Sequence, residues 1–218
     1  MSNKNNPNKD KKCQINFRII TLGESGVGKT SILRRFLYNH FDFNSLTTLG
    51  LSFSFKDIIL KNNEKIQLKL IDTGGQEKYR SLAKSYFKNA DGVFFVYAKN
   101  NQDSFDKIKE WIKMFNENHN GKEGIPKYLV ESKDDLERVV DEDISIKYAE
   151  DNNLIFMKTS SKNNDSINEL FQDIGEILYE NYLKNKKGNF IQKGIHLKNT
   201  EIKTPNCCLF QNDIHYKK

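Results

Sequence analysis

The chain has 218 residues, 37% of them hydrophobic, enough for one well-buried α/β domain or a domain with tails. Its three cysteines, Cys13, Cys207 and Cys208, stand outside the patterned middle, so neither a disulfide framework nor a zinc site is expected; a reducing cytoplasmic compartment fits, and no apolar run is long enough for secretion or a membrane span. The net charge of +6 divides unevenly: residues 1–13 hold four lysines against Asp10 and residues 184–218 hold eight against Glu201 and Asp213, which leaves 14–183 mildly acidic and, with no aromatic platform beside the lysines, points away from nucleic acid.

After the Asn/Lys-rich stretch 1–13, expected to be a disordered tail, the apolar run 15–22 reads as a strand and 28–38 as a helix, joined by Gly23–Thr30 (GESGVGKT). Segments 51–60 and 65–71 read as a hairpin turning at Asn62-Asn63, and the second arm runs into Ile71-Asp72-Thr73-Gly74-Gly75-Gln76-Glu77. A helix is expected over 78–87, a strand over 92–98, and a helix over 104–118 with Ser104 as its N-cap. Strand 126–132 then leads into Ser132-Lys133-Asp134-Asp135, helix 143–152 follows, and strand 154–158 ends at Thr159-Ser160-Ser161-Lys162. The last helix, 166–184, sets Ile167, Leu170, Phe171, Ile174, Ile177 and Leu178 on one face. This alternation predicts a single α/β domain over 14–183: a six-stranded, mostly parallel sheet with one antiparallel edge strand, five helices on its two faces, and ligand loops at the carboxyl ends of the strands. Residues 184–218 form a basic tail, in which attraction to anionic lipid or an acidic partner stands beside plain solvation.

Strand, GxxxxGK-Thr loop and helix in register are the requirements of a polyphosphate site. Backbone N–H groups from Gly23, Glu24, Ser25, Gly26, Val27 and Gly28 converge at a helix N-terminus that continues through Ser31, Lys29 reaches the β/γ-phosphates, and the Thr30 hydroxyl helps hold Mg2+. The loop alone leaves an ATPase, a nucleotide kinase and a GTPase open.

The further motifs resemble the nucleotide-switch and guanine-recognition loops of Ras-like small GTPases: DTGGQE at Asp72–Glu77, SKDD at Ser132–Asp135 and TSSK at Thr159–Lys162. The wider resemblance is to the Rab branch, carried by Thr48-Leu49-Gly50 with Phe53, by Glu77-Lys78-Tyr79-Arg80-Ser81-Leu82, and by Asn101-Gln102-Asp103-Ser104-Phe105 with Trp111. It covers roughly residues 14–183. The resemblance implies a switch of Rab type that binds GTP/GDP with Mg2+, hydrolyses GTP slowly without an activating protein, and acts in vesicle or membrane trafficking. Thr30, Thr48 and Asp72 are then the metal-holding oxygens. Lys29 and Thr48 serve hydrolysis with Gly75, whose N–H meets the γ-phosphate, and Gln76, which orients the attacking water. For the base, Asp135 is the carboxylate facing guanine's N–H donors; Lys133 lays its stem along the ring, Lys162 packs on the other face, Ser160-Ser161 backbone meets the carbonyl oxygen, and Ser132, Leu136 and Phe41 complete the contacts. An exchange factor, a GTPase-activating protein and effectors reading 44–60 and 73–87 through Phe53, Phe55, Tyr79 and Tyr86 are the implied partners, on the cytosolic face of endomembranes.

Four departures from the family pattern matter. Ser132 stands where Asn is usual, with one donor in place of two, so weaker nucleotide binding is expected. Gly74 stands where Ala is usual and loosens the Gly74-Gly75 hinge. Ile71 and Ala98 replace Trp and Asp but still suit buried strand ends. The pair Cys207-Cys208, a candidate for lipidation, is followed by Leu209 to Lys218, and a chain ending His215-Tyr216-Lys217-Lys218 offers no cysteine for CaaX prenylation. The alternative to a cycling switch is a guanine-nucleotide-binding interaction module with weak or no hydrolysis.

Overall fold

The structure is a computed structural model and describes residues 15–43, 48, 50–74, 85–119 and 124–192, with side chains to residue 186. Six strands, β1 (Ile15–Leu22), β2 (Leu51–Ile59), β3 (Lys65–Thr73), β4 (Gly92–Ala98), β5 (Lys127–Ser132) and β6 (Ile155–Lys158), form one sheet in the order β2-β3-β1-β4-β5-β6. The β2–β3 pair is antiparallel and all the others are parallel. The helices of the described residues are α1 (Lys29–Tyr38), α2 (Gln102–Asp106), α3 (Ile108–Asn118), α4 (Glu142–Asp151) and α5 (Ile167–Gln192).

Parallel strands are covered on both faces and read as continuous apolar runs; β4, GVFFVYA, is buried at all seven positions. One face packs against α1 and α5, where Phe36 stacks on Phe171 with centroids 3.8 Å apart and Ile167, Leu170, Ile174 and Leu178 fill the layer. The other packs against α2, α3 and α4, around Phe95, Trp111 and Phe115. Each such buried side chain contributes roughly 1.5–3 kcal/mol. The apolar stripe expected on the last helix is this packing face: five of its six residues are buried and Ile177 is partly so.

The expected hairpin turns at Asn62-Asn63, with Asn63 at φ 63° and Asn62 Oδ1 accepting the Glu64 N–H. Two expectations need correction. The helix placed over 104–118 opens earlier, because Asn101 is the cap: its side chain accepts the Ser104 N–H at 3.0 Å. Ser104 is buried and turned inward, donating to Asn101 O at 2.7 Å and accepting from Ala98 N at 3.0 Å. The helix is also broken at Lys107 into α2 and α3. At the other end of the chain α5 runs to Gln192, eight residues beyond the expected stop. Of the helix expected over 78–87, residues 85–87 are helical and 78–84 lie outside the described residues. Ile71 and Ala98 are buried strand ends as expected. Among the described residues no helix is long and apolar enough to cross a membrane.

With β1 flanked by β3 and β4, chain connections leave on opposite faces of the sheet around β1, and the carboxyl ends of these strands open onto a shared crevice. The loop Gly23–Thr30 lies there.

Candidate nucleotide-binding site

The crevice is a cavity of about 460 Å³, lined at one end by Ser25, Gly26, Gly28, Lys29, Thr30 and Ser31, and at the other by Phe41, Ser132, Lys133, Asp135, Leu136, Ser161 and Lys162, with Thr48 also on its wall. Fourteen residues singled out in the sequence therefore meet in one space.

The phosphate end is built mainly from backbone direction. Gly23 has φ 145° and passes so close to β4 that a Cβ there would sit 2.1 Å from Val96 O; Gly28, at φ 100°, opens α1. Only glycine meets both demands, and the free amides of the first helical turn face the cavity, with no acidic residue in that turn to oppose an anion. Lys29, 5% exposed, donates to Gly23 O and Glu24 O, both at 2.8 Å. Burial holds its ammonium down to about 8 despite the opposing pull of Asp72 and Glu24. Gly23, Glu24 and Val27 thus act from behind the lining. Glu24 turns its carboxylate away to accept from Trp111 Nε1 at 3.0 Å, and the Val27 side chain is in the core.

Beside Lys29, three oxygens converge. Thr30 donates its hydroxyl to Asp72 Oδ2 at 2.7 Å, so the 2.6 Å bond between Thr30 and Thr48 takes its proton from Thr48. Asp72 is 4% exposed, and its Oδ1 is buried without a hydrogen-bond partner. Burial pushes the Asp72 carboxyl upward against the Thr30 bond and the Lys29 charge. An orphaned carboxylate oxygen beside two hydroxyls is the donor set a hard divalent cation takes.

The base end is built from side chains of several elements. Asp135 accepts from Ser160 Oγ at 2.6 Å on Oδ1, and the Lys162 ammonium stands 3.8 Å from Oδ2; both oxygens keep lone pairs for further donors. Lys133, at φ 61°, is partly desolvated, which lowers its ammonium, with Asp135 opposing. Ser132 is 3% exposed and its hydroxyl lies 2.5 Å from Val27 O and 2.8 Å from Tyr97 O. The shorter side chain therefore does reach the phosphate loop. Its single proton is shared by two carbonyls, and none is left for an acceptor atom of a base.

Sequence reading missed four parts of the site. Asp42 and Phe43 line the cavity alongside Phe41, and Thr73 lines it at the end of β3. Arg35 reaches from α1 to the TSSK loop, donating to Ser161 O at 2.6 Å and Lys162 O at 3.1 Å while also holding Asn39. Beneath the SKDD loop Glu131, fully buried, accepts from Tyr97 OH at 2.6 Å and from both ends of the Arg138 fork at 2.9 and 2.8 Å. The repeat FDF at 41–43 was the available signal for Phe43; nothing local marks Arg35 or Arg138. Leu49, Gly75, Gln76, Glu77–Leu82 with Tyr79, and Cys13, Cys207 and Cys208 lie outside the described residues. Gly74 is described: its N–H donates to Gly50 O at 2.8 Å.

A phosphate loop after the first strand and a carboxylate after β5 in the same cavity, with a second carboxylate at the end of β3 bonded to the lining Thr30, define a nucleotide-binding domain of the small-GTPase class. The family model described as the Ras family matches residues 18–180, and the chain belongs to that family. Proteins of Rab type are among its curated relatives. It is 35% identical over 171 residues to the Ras-related protein SEC4 of Saccharomyces cerevisiae, covering 78% of each chain. It is 33% identical over 204 residues to the GTP-binding protein ypt3 of Schizosaccharomyces pombe, covering 93% of this chain and 92% of that one. To the Ras-related protein Rab-11B of Dictyostelium discoideum it is 34% identical over 201 residues, covering 91% and 90%.

Proposed function

We propose that the chain is a Rab-type molecular switch that binds GTP and GDP in this cavity, hydrolyses GTP slowly, and regulates vesicle-mediated membrane traffic. The observation that carries the reading is the meeting, in one cavity, of Lys29, Thr30 and Thr48 at one end, with Asp72 bonded to Thr30 behind them, and of Asp135, held by Ser160, at the other. A ligand answering both ends has a polyphosphate and, at the length of a nucleoside from it, a base with adjacent N–H donors; guanine has these at N1 and the exocyclic amine, and adenine has no matching pair.

The phosphate-loop amides and Lys29 bind the β/γ-phosphates. Thr30, Thr48 and Asp72 are the residues that would hold Mg2+, which would supply neutralisation of the phosphate charge. Thr48 reaches this cluster from the segment ahead of β2, so its hold couples the first switch to the nucleotide state. Gly75 and Gln76 serve the γ-phosphate and the attacking water. Loss of the γ-phosphate releases both switch segments, and the ordered state is what effectors read around Phe53, Phe55 and Tyr86. An exchange factor and an activating protein set the two rates. The GTPase domain begins near residue 14 and its last helix runs to Gln192, with basic tails on either side. The C-terminal one, with Cys207 and Cys208, brings the domain to the cytosolic face of endomembranes.

Single-turnover hydrolysis of bound GTP, with Gln76→Leu as control, tests the reading. Stoichiometric GDP and phosphate, slowed about tenfold or more by the substitution, are expected. Tight GTP binding with no hydrolysis in either protein would replace the switch by a non-cycling guanine-nucleotide-binding module.

A further inference from the structure

We propose that Phe43 is a nucleoside-contacting residue of this chain: with Phe41 and Lys162 it forms an outer wall over the base and ribose and slows nucleotide release. The inference rests on the guanine-nucleotide reading of the cavity and adds to it a contact that depends on aromatic surface instead of hydrogen bonding.

Four observations converge on Phe43. It lines the cavity although its side chain is 76% exposed, more than any other large apolar residue described. Its ring meets Phe41 edge to face, with centroids 4.9 Å apart and planes at 79°. The Lys162 ammonium lies 5.7 Å from its ring centroid. That same ammonium stands 3.8 Å from Oδ2 of Asp135, the base-selecting carboxylate. Phe41, Phe43, Lys162 and Asp135 therefore make a continuous line of contact across the base end, joining the segment after α1 to the loops after β5 and β6.

A phenyl ring left in water at the rim of a binding cavity gains by covering flat apolar surface, and a purine with its ribose supplies such surface there. The cation near the ring adds attraction that strengthens as water is expelled. Stacking ignores the hydrogen-bonding edge of the base, so it compensates for the donor that Ser132 lacks without restoring edge recognition.

The test uses the full chain loaded with labelled GDP in Mg2+ and chased with unlabelled GDP. Phe43→Ser is expected to release GDP about tenfold faster, and Phe43→Tyr to stay within about twofold of the parent. Inosine diphosphate, which lacks the exocyclic amine, should be released faster by the same factor from Phe43→Ser. In a Phe41→Ser background the Phe43→Ser change should still accelerate release, because Phe43 touches the nucleoside itself. Unchanged GDP release from Phe43→Ser overturns the proposal, as does the absence of any further acceleration in the Phe41→Ser background, which would make Phe43 a mere prop for Phe41. A parent chain that retains no GDP overturns the guanine reading together with the proposal.

Discussion

The two ends of the cavity are made in different ways. The phosphate end presents backbone amides and one lysine from the single stretch Gly23–Thr30, joined by the Asp72 carboxylate at the end of β3 and the Thr48 hydroxyl from ahead of β2. At the base end Asp135 is flanked by Ser160 and Lys162 from another loop, that loop is anchored by Arg35 from α1, and the segment beneath is pinned by Glu131 and Arg138. The phosphate loop of the first end depends on local conformation, the second end on tertiary agreement among α1, β4, β5 and the loops after β5 and β6.

Breaking the phosphate end should have the largest effect. Lys29→Ala removes the buried ammonium that bridges Gly23 O and Glu24 O, and GDP affinity measured by calorimetry should fall about a hundredfold or more. Next comes the support of the base end. Arg138→Ala leaves the Glu131 carboxylate buried with only Tyr97 as donor, and should destabilise the domain by about 3 kcal/mol in urea unfolding. The companion Glu131→Gln removes that charge and should recover part of the loss when combined with it; an Arg138→Ala protein as stable as the parent would show that the network does not hold the loop.

Smaller effects separate positioning from contact. Arg35 holds two successive carbonyls of the TSSK loop, and because a trans peptide points its N–H opposite its C=O, this grip fixes where the loop amides face. Arg35→Ala should speed release of GDP and of inosine diphosphate alike, about fivefold, because both bases carry the carbonyl oxygen those amides meet, and Arg35→Lys should not rescue it because an ammonium lacks the fork. The smallest change is a gain. Ser132→Asn supplies a second donor and should tighten GDP binding several-fold, on the order of 1 kcal/mol, without altering the hydrolysis rate. An unchanged affinity would mean that the serine costs nothing.

The same contrast explains what could be read from sequence. All six strands were legible within a residue or two: the central ones because burial on both faces writes them as apolar runs, as in GVFFVYA of β4, and the exposed edge strand β2 through its Phe and Ile content and the Asn62-Asn63 turn that follows it. The phosphate loop was legible because glycine and Lys-Thr at fixed spacing are demanded by local geometry, and Gly23 beside Val96 O shows why. Asp135 and Lys162 were legible through short motifs. Arg35 was not, since its partners lie 126 and 127 residues away and an arginine on a helix surface ordinarily reads as solvated. Ser104 misled because a serine ahead of an amphipathic run suits an N-cap; Asn101, three residues earlier, competes better, and Ser104 is drawn inward to the end of β4. That Ser132 bonds Val27 O was not legible, because their distance depends on how β5 sits against the phosphate loop, 105 residues away in sequence.

The central claim is that the two ends of this cavity select a guanine nucleotide. Displacement of labelled GDP from the Mg2+-loaded full chain by unlabelled GDP and by ADP tests it most directly. Stoichiometric displacement by GDP, with ADP ineffective at about a hundredfold excess, is the predicted result. Equal displacement by ADP would contradict it, because Asp135 and its partners would then confer no selection for guanine.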